Sequence, residues 1–135
     1  MDAAPPDDRG DYHDQVVQEH VEQFRDGGGA CVRDVPLVFE GETARIDILC
    51  LNRHGILVGV AVKTGDDCAF TDPEKRVYGH AMLGFGVTSA DPAIADLGAI
   101  ANAPLPPIKL CLLHAPGRGL PYRAYSLGAL HVAPA

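Results

Sequence analysis

The sequence predicts a mixed α/β domain, of the α+β kind, with a central mixed sheet flanked by helices in the order αβββαβ. Three observations predict it. Residues 10–26 carry Tyr12, Val16, Val17, Val21 and Phe24 at helical spacing. Two apolar runs, 44–51 and 56–63, alternate as strands do and are joined by Asn52-Arg53-His54-Gly55. A helix start at Thr71-Asp72-Pro73-Glu74 separates that hairpin from a further apolar run, 108–114. With 135 residues the chain has room for one such domain, over 10–135, and not for two.

The elements follow in order. Residues 1–9 (MDAAPPDDR) are acidic and Pro-rich and read as a disordered lead-in. The first helix, 10–26, is stopped by Gly27-Gly28-Gly29. Residues 30–39 form a first strand, and Pro36 assigns it to an edge or a bulge. Asn and Gly in the four-residue joint make 44–51 and 56–63 a tight hairpin. Thr71 and Glu74 have capping-box spacing, with Pro73 in the first turn. That helix is expected to reach Gly84, with Val77, Ala81 and Met82 inward. A short strand is expected over 85–88, and a short helix from Asp91-Pro92 to Asn102. After a Pro-rich linker, 108–114 (IKLCLLH) is a buried strand, and 122–130 is a last one.

Composition narrows the functions. There are 11 Lys and Arg against 18 Asp and Glu, a formal net charge of −7. That argues against a simple nucleic-acid coat protein, whose affinity leans on basic residues. Residues 1–26 alone carry −6, so the rest of the chain is nearly neutral. No apolar run approaches the roughly 18 residues of a membrane span, and Met1–Gly10 has neither signal-peptide nor transit-peptide character. The cysteines at 31, 50, 68 and 111 form no CxxC pair. They read as small buried hydrophobes in a reducing compartment rather than as a disulfide frame or zinc site.

Alternation places Ile46, Ile48 and Cys50 on one hairpin face, with Arg45, Asp47, Leu49 and Leu51 on the other. With the turn centred near His54, Asp47 lies opposite Ala61 and Arg45 opposite Lys63. The β-branched sets then share a dry face, and Asp47, Ala61 and Lys63 share the second. Asp47 is the anomaly, because a carboxylate inside an apolar strand is costly unless partnered. An ion pair of Asp47 with Arg45 or Lys63, closing a sheet edge, explains it as well as a reactive site does.

The stretch Arg45-Ile46-Asp47, the turn Gly55, and Val62-Lys63-Thr64-Gly65 resemble the core of the PD-(D/E)XK nuclease superfamily. In that family an Asp on one hairpin strand is followed, on the next, by Glu-x-Lys. The resemblance spans roughly residues 10–114 and implies a restriction-endonuclease-like fold. It implies a metal-dependent endonuclease using Mg²⁺ or Mn²⁺. Asp47, the carboxylate at position 61 and the Val62 carbonyl would hold the metal, and Lys63 would position the attacking water.

One departure is severe, since position 61 is Ala where the family carries Glu or Asp. The chain as written is expected to be inactive. Three explanations are open, and a Glu→Ala replacement that disables a damaging nuclease is the favoured one. The others are a natural nuclease relative that binds without cutting, and a carboxylate supplied from elsewhere. Glu19 and Glu22 on the first helix are candidates for that role, as are Glu40 and Glu42. Lys75 on the second helix and Arg118 in Gly117-Arg118-Gly119 are the substrate-contact candidates, with Arg76 and Arg123 beside them. His54 and His80 read as surface or packing residues.

Val62-Lys63-Thr64-Gly65 followed by Phe70-Thr71-Asp72-Pro73 and Tyr78 is similar to the small toxin nucleases of interbacterial effectors. That likeness implies a DNase, with an RNase or tRNase as alternative. It also implies a cognate immunity protein, no membrane partner, and secretion into a target-cell cytoplasm; otherwise the chain is cytoplasmic. The contrasting class is a catalytically dead binding or regulatory module.

Overall fold

A computed structural model describes residues 8–66 and 68–127, with the side chains of residues 8–10 excepted. The expected lead-in lies outside them up to residue 7. Asp8 and Arg9 already belong to the first helix, α1 (Asp8–Asp26). Strands β1 (Ala30–Phe39), β2 (Glu42–Leu51) and β3 (Leu57–Thr64) follow as an antiparallel meander. Helix α2 (Asp72–Leu83) then crosses to β4 (Lys109–Ala115), which pairs parallel to β3. Strand β5 (Arg123–Ser126) closes the sheet antiparallel to β4, in the order β1-β2-β3-β4-β5. The predicted mixed sheet flanked by helices is therefore present.

The sheet is sandwiched between two apolar layers. Against one face, Val16, Val17 and Val21 of α1, all fully buried, pack on Ile48, Cys50, Val58, Val60, Val62 and Leu113. Each such valine contributes about 1.5–3 kcal/mol by leaving water. Against the other face, Val77, Tyr78 and Ala81 of α2 pack with Ile94 and Leu97 on Val35, Leu37, Ile46 and Leu110. Gly59 lets that second layer close in, because a β-carbon there would lie 3.1 Å from Ile108 and 3.2 Å from Leu110.

Several expectations need correction. The 85–88 segment is no strand; Val38 and Thr88 exchange two backbone hydrogen bonds, of 2.8 and 3.0 Å, in an isolated bridge. The helix expected over 91–102 is a six-residue 3-10 helix, Pro92–Leu97, capped by Asp91 and ended by Gly98 in the left-handed conformation. Of the 122–130 strand, 123–126 is formed, and 128–130 lie outside the described residues. Cys31 and Cys50 are not free hydrophobes. They are directly opposed across β1 and β2 and joined by a disulfide, while Cys68 and Cys111 are free thiols.

The predicted sharing of faces in β2 also fails at one point. Ile46 belongs to the α2 layer, whereas Ile48 and Cys50 belong to the α1 layer. The regular alternation breaks between them, at Asp47. The break is shared by β1, whose pairing with β2 runs from Arg33↔Ile48 to Val35↔Ile46 with no Asp34↔Asp47 rung. Asp34 there takes a left-handed φ of 54°, a conformation that Asp tolerates better than most residues. Both strands step at one level, and the step is where the candidate site forms.

Candidate functional site

The β2–β3 ladder runs from Leu51↔Leu57 to Ile48↔Val60 and goes no further. The next rung would set Asp47 opposite Ala61, the predicted register. Instead the strands part, and the Asp47 side chain fills the gap. Its Oδ2 accepts the Val62 backbone N–H at 2.7 Å. A carboxylate thus takes the place of a ladder carbonyl, and a buried amide that would otherwise go unpaired is satisfied.

From the α1 side, His13 reaches the same gap. Its Nε2 lies 3.3 Å from Asp47 Oδ1 and 3.1 Å from the Val62 carbonyl oxygen. Both neighbours are acceptors, which assigns the proton to Nε2. The Asp47 hydrogen bond holds the His13 pKa above its ordinary value, against the opposing effect of burial. The partner of Asp47 is therefore His13, rather than the expected Arg45 or Lys63. Arg45 is exposed, and its carbonyl accepts the Tyr78 hydroxyl.

Ala61 and Lys63 face the opposite layer. Ala61 is 1% exposed and packs in the α2 cluster. Lys63 Nζ donates to both oxygens of Glu74, at 2.9 and 3.0 Å, with side chains only 22% and 17% exposed. The ammonium also lies 5.5 Å from the centre of the Phe70 ring. Glu74 is held by its own helix: its Oε1 accepts the Thr71 N–H, and its N–H donates to Thr71 Oγ1, a complete capping box. Tyr78, one turn on, places its hydroxyl 3.5 Å from Glu74 Oε2. Burial first, then the charges of Glu74 and Asp47, push the Tyr78 pKa far up, so its hydroxyl remains a donor. Glu74 is thus the carboxylate that meets Lys63, and Asp47 and Glu74 both act on Tyr78.

The other carboxylate candidates lie elsewhere. Glu19 stands six residues beyond His13 on α1, about 9 Å along the axis and on another side of the helix. It accepts from Gln15 at 3.1 Å and from the Tyr122 hydroxyl at 2.9 Å. Gln15 first, then Tyr122, holds its pKa below the ordinary value. Glu22 accepts from Gln18, Glu42 pairs with Arg76 at 2.7 Å, and Glu40 is exposed in the β1–β2 turn.

A cleft of about 400 Å³ opens where the parallel strands β3 and β4 end, lined by Tyr12, Thr64, Asp66 and Arg118 among others. Arg118 lies 5.2 Å from the centre of the Tyr12 ring and donates to Gln15 at 2.7 Å. Tyr12 in turn donates to the Gly117 carbonyl at 3.0 Å. A second hollow of about 280 Å³, lined by His114, Leu120 and Arg123 among others, shares Pro116 with the first. Crevices beyond the carboxyl ends of parallel strands are where open sheets commonly bind ligands. Arg118 and Arg123 border this region. Lys75 is exposed on α2, and His54 and His80 serve the hairpin tip and a stack on Phe39.

His13, Glu74 and Tyr78 are the site residues that sequence reasoning left out of the site. His13 shares a helical stripe with Val16, Val17 and His20, and a polar residue inside such a stripe was the available signal. Glu74 was read for its cap alone.

The donor set does not fit a divalent metal in the chain as it stands. Position 61 offers no side-chain oxygen, both Glu74 oxygens are engaged by Lys63, and both Asp47 oxygens already accept hydrogen bonds. Among the described residues no group of three His, Cys, Asp or Glu side chains is placed to hold a metal. No protein-family model, curated protein or solved structure matches the chain.

Proposed function

We propose that the chain is a nuclease-fold domain directed at phosphodiester backbones. With an acid at position 61 it is a Mg²⁺- or Mn²⁺-dependent endonuclease. With Ala61 it holds nucleic acid without cutting. One observation carries this reading. Asp47 bonds the Val62 backbone where β2 parts from β3, and in sequence Val62 stands between Ala61 and Lys63, both of which face the α2 layer. The element order αβββαβ, with β3 and β4 parallel, supports it.

No step through a metal is available to the present chain, because its donors are already partnered. What its own residues can do is bind. The cleft beside Thr64 offers a guanidinium at Arg118, and the neighbouring hollow offers Arg123, both suited to phosphate oxygens. Such contacts, on a domain whose net negative charge lies largely along α1, give modest, salt-sensitive affinity.

We favour DNA as the substrate of the acidic form, RNA or tRNA being the alternative. The setting we propose is an interbacterial toxin, secreted to act in a target-cell cytoplasm and covered by an immunity protein. A binding-only module is the second reading, and the Lys63–Glu74 pair favours it, since it engages the ammonium that would otherwise position an attacking water.

The test is Ala61→Glu, assayed with Mg²⁺ on supercoiled plasmid and on tRNA. The expected result is plasmid cleavage, raised by about a hundredfold or more over the unsubstituted chain, the scale of losing a principal electrostatic group. A protein that still binds DNA and cuts neither substrate would establish the binding module instead.

A further inference from the structure

The cleft beyond the ends of β3 and β4 is mixed in charge, which phosphate contacts alone do not explain. Arg118 lines it, and so does Asp66. Asp66 is exposed, and no ion pair among the described residues engages Asp66, Arg118 or the neighbouring Arg123. A carboxylate beside the guanidinium repels a bare anion, so the cleft suits a ligand that also brings hydrogen-bond donors. Two backbone acceptors of its lining are already engaged. The Gly65 carbonyl accepts from His114 at 2.7 Å, and the Gly117 carbonyl accepts from Tyr12 at 3.0 Å. Asp66 is the charged acceptor left open to a ligand.

We propose that this cleft is a base pocket for a guanine nucleotide. The Asp66 carboxylate accepts from the guanine N1–H and N2–H₂ edge, the base lies on the Arg118 guanidinium, and Arg123 in the adjoining hollow takes the phosphate. The inference builds on the reading of the domain as directed at phosphodiester backbones, and adds the base.

Guanine is singled out by its donors. Its N1–H and N2–H₂ point the same way and match the two oxygens of one carboxylate. Adenine and cytosine set their amino group beside an acceptor nitrogen, and uracil sets one N–H between two carbonyls. Each would leave an Asp66 oxygen facing a lone pair. Arg118 supplies the flat surface. Its planar guanidinium lies 5.2 Å from the centre of the Tyr12 ring, and its bond to Gln15 at 2.7 Å fixes it there. Tyr12 is itself buried, so the open surface of this stack is the guanidinium, a plane on which unpaired bases stack. The volume of about 400 Å³ lies in the range of small-ligand pockets, and the hollow that carries Arg123 meets it at Pro116. The edge read by Asp66 is the one that pairs in a duplex, so the ligand is a free guanine nucleotide or an unpaired guanine within a strand.

The test needs no cleavage. GMP, AMP, CMP, UMP and inorganic phosphate are each titrated into the unsubstituted chain, with backbone amide chemical shifts as the readout. GMP should shift the amides of Gly65, Asp66, Gly117 and Arg118. It should bind about tenfold or more tightly than AMP, the scale of one bidentate pair. Asp66→Asn, at an exposed position where folding is not at stake, should bring GMP down to the AMP level. Arg123→Ala should make GMP bind no better than guanosine. Equal affinities for GMP and AMP overturn the proposal, as do shifts confined to other surfaces or a guanine preference that survives Asp66→Asn. A single-stranded pentanucleotide with one central guanine identifies the source. Affinity above that of GMP assigns the pocket to an unpaired guanine in a strand, and affinity at or below it to the free nucleotide. Guanine selectivity without Ala61→Glu cleavage leaves this inference standing and the nuclease reading fallen; cleavage without guanine selectivity does the reverse.

Discussion

Asp47 stands at the meeting of two economies, one electrostatic and one of the backbone. Its carboxylate completes the β3 hydrogen bonding at Val62 and also bonds His13. The His13 contribution has a definite pH sense. A histidine whose folded pKa is raised adds stability that is fully present below its unfolded value of 6.5 and is lost as pH rises through the folded pKa. The unfolding free energy of the unsubstituted chain should therefore exceed that of His13→Gln most at mildly acid pH. The margin should narrow on going alkaline. Urea unfolding of both at a series of pH values reads it, and a margin that widens above neutrality would refute it. Asp47 and Lys63 were legible in the sequence because charges inside apolar strands stand out. Their partners were not, because His13 and Glu74 are 34 and 11 residues away in sequence and only the packing of both helices brings them in.

At the scale of elements, α2 does two jobs through one side chain. Thr71 and Glu74 cap the helix, and Glu74 turns the same carboxylate on Lys63. The two roles separate on substitution. Thr71→Ala removes one cap bond and should cost about 1 kcal/mol. Glu74→Ala removes the reciprocal bond and leaves a mostly covered ammonium without its carboxylate, and should cost more, about 2–3 kcal/mol after allowance for partial exposure. Denaturant midpoints of the two variants compare them directly. Equal losses would mean that the Lys63 pair adds nothing. The cap itself was readable from Thr71-Asp72-Pro73-Glu74, since capping is local chemistry. The α1 helix, the meander and the buried β4 were readable for the same reason, through periodicity. The step at Asp34 and Asp47 was not. A strict two-residue alternation is the default for a strand, and the step needs both strands to depart from it together.

The whole molecule adds a tie that no single element suggests. Cys31 and Cys50 are 19 residues apart and meet only because β1 and β2 pair in one particular register. Spacing in sequence could not show that, and an absent CxxC pattern pointed the other way. A closed loop of this length restricts the unfolded chain by about 3 kcal/mol in the chain-entropy description. Replacing both cysteines by Ala should lower the unfolding free energy by about 2–4 kcal/mol, and a reducing agent should do the same to the parent and nothing to the variant. The charge has a place too. Most of the −7 lies on residues 1–26, largely along α1, while the cleft beyond β3 and β4 is bordered by Arg118 and Arg123.

Tyr12 bonds Gly117, Arg118 bonds Gln15, and Tyr122 bonds Glu19, each across more than a hundred residues of chain. The walls of the cleft are thus drawn from opposite ends of the described chain. A polypeptide emerging from the ribosome can assemble the hairpin and its disulfide register early, but it owns no cleft until residue 118 has been made. Whatever this domain binds, it can bind only as a finished molecule. A nascent or C-terminally clipped chain would carry the Asp47 gap intact and yet have nothing with which to hold a ligand beside it.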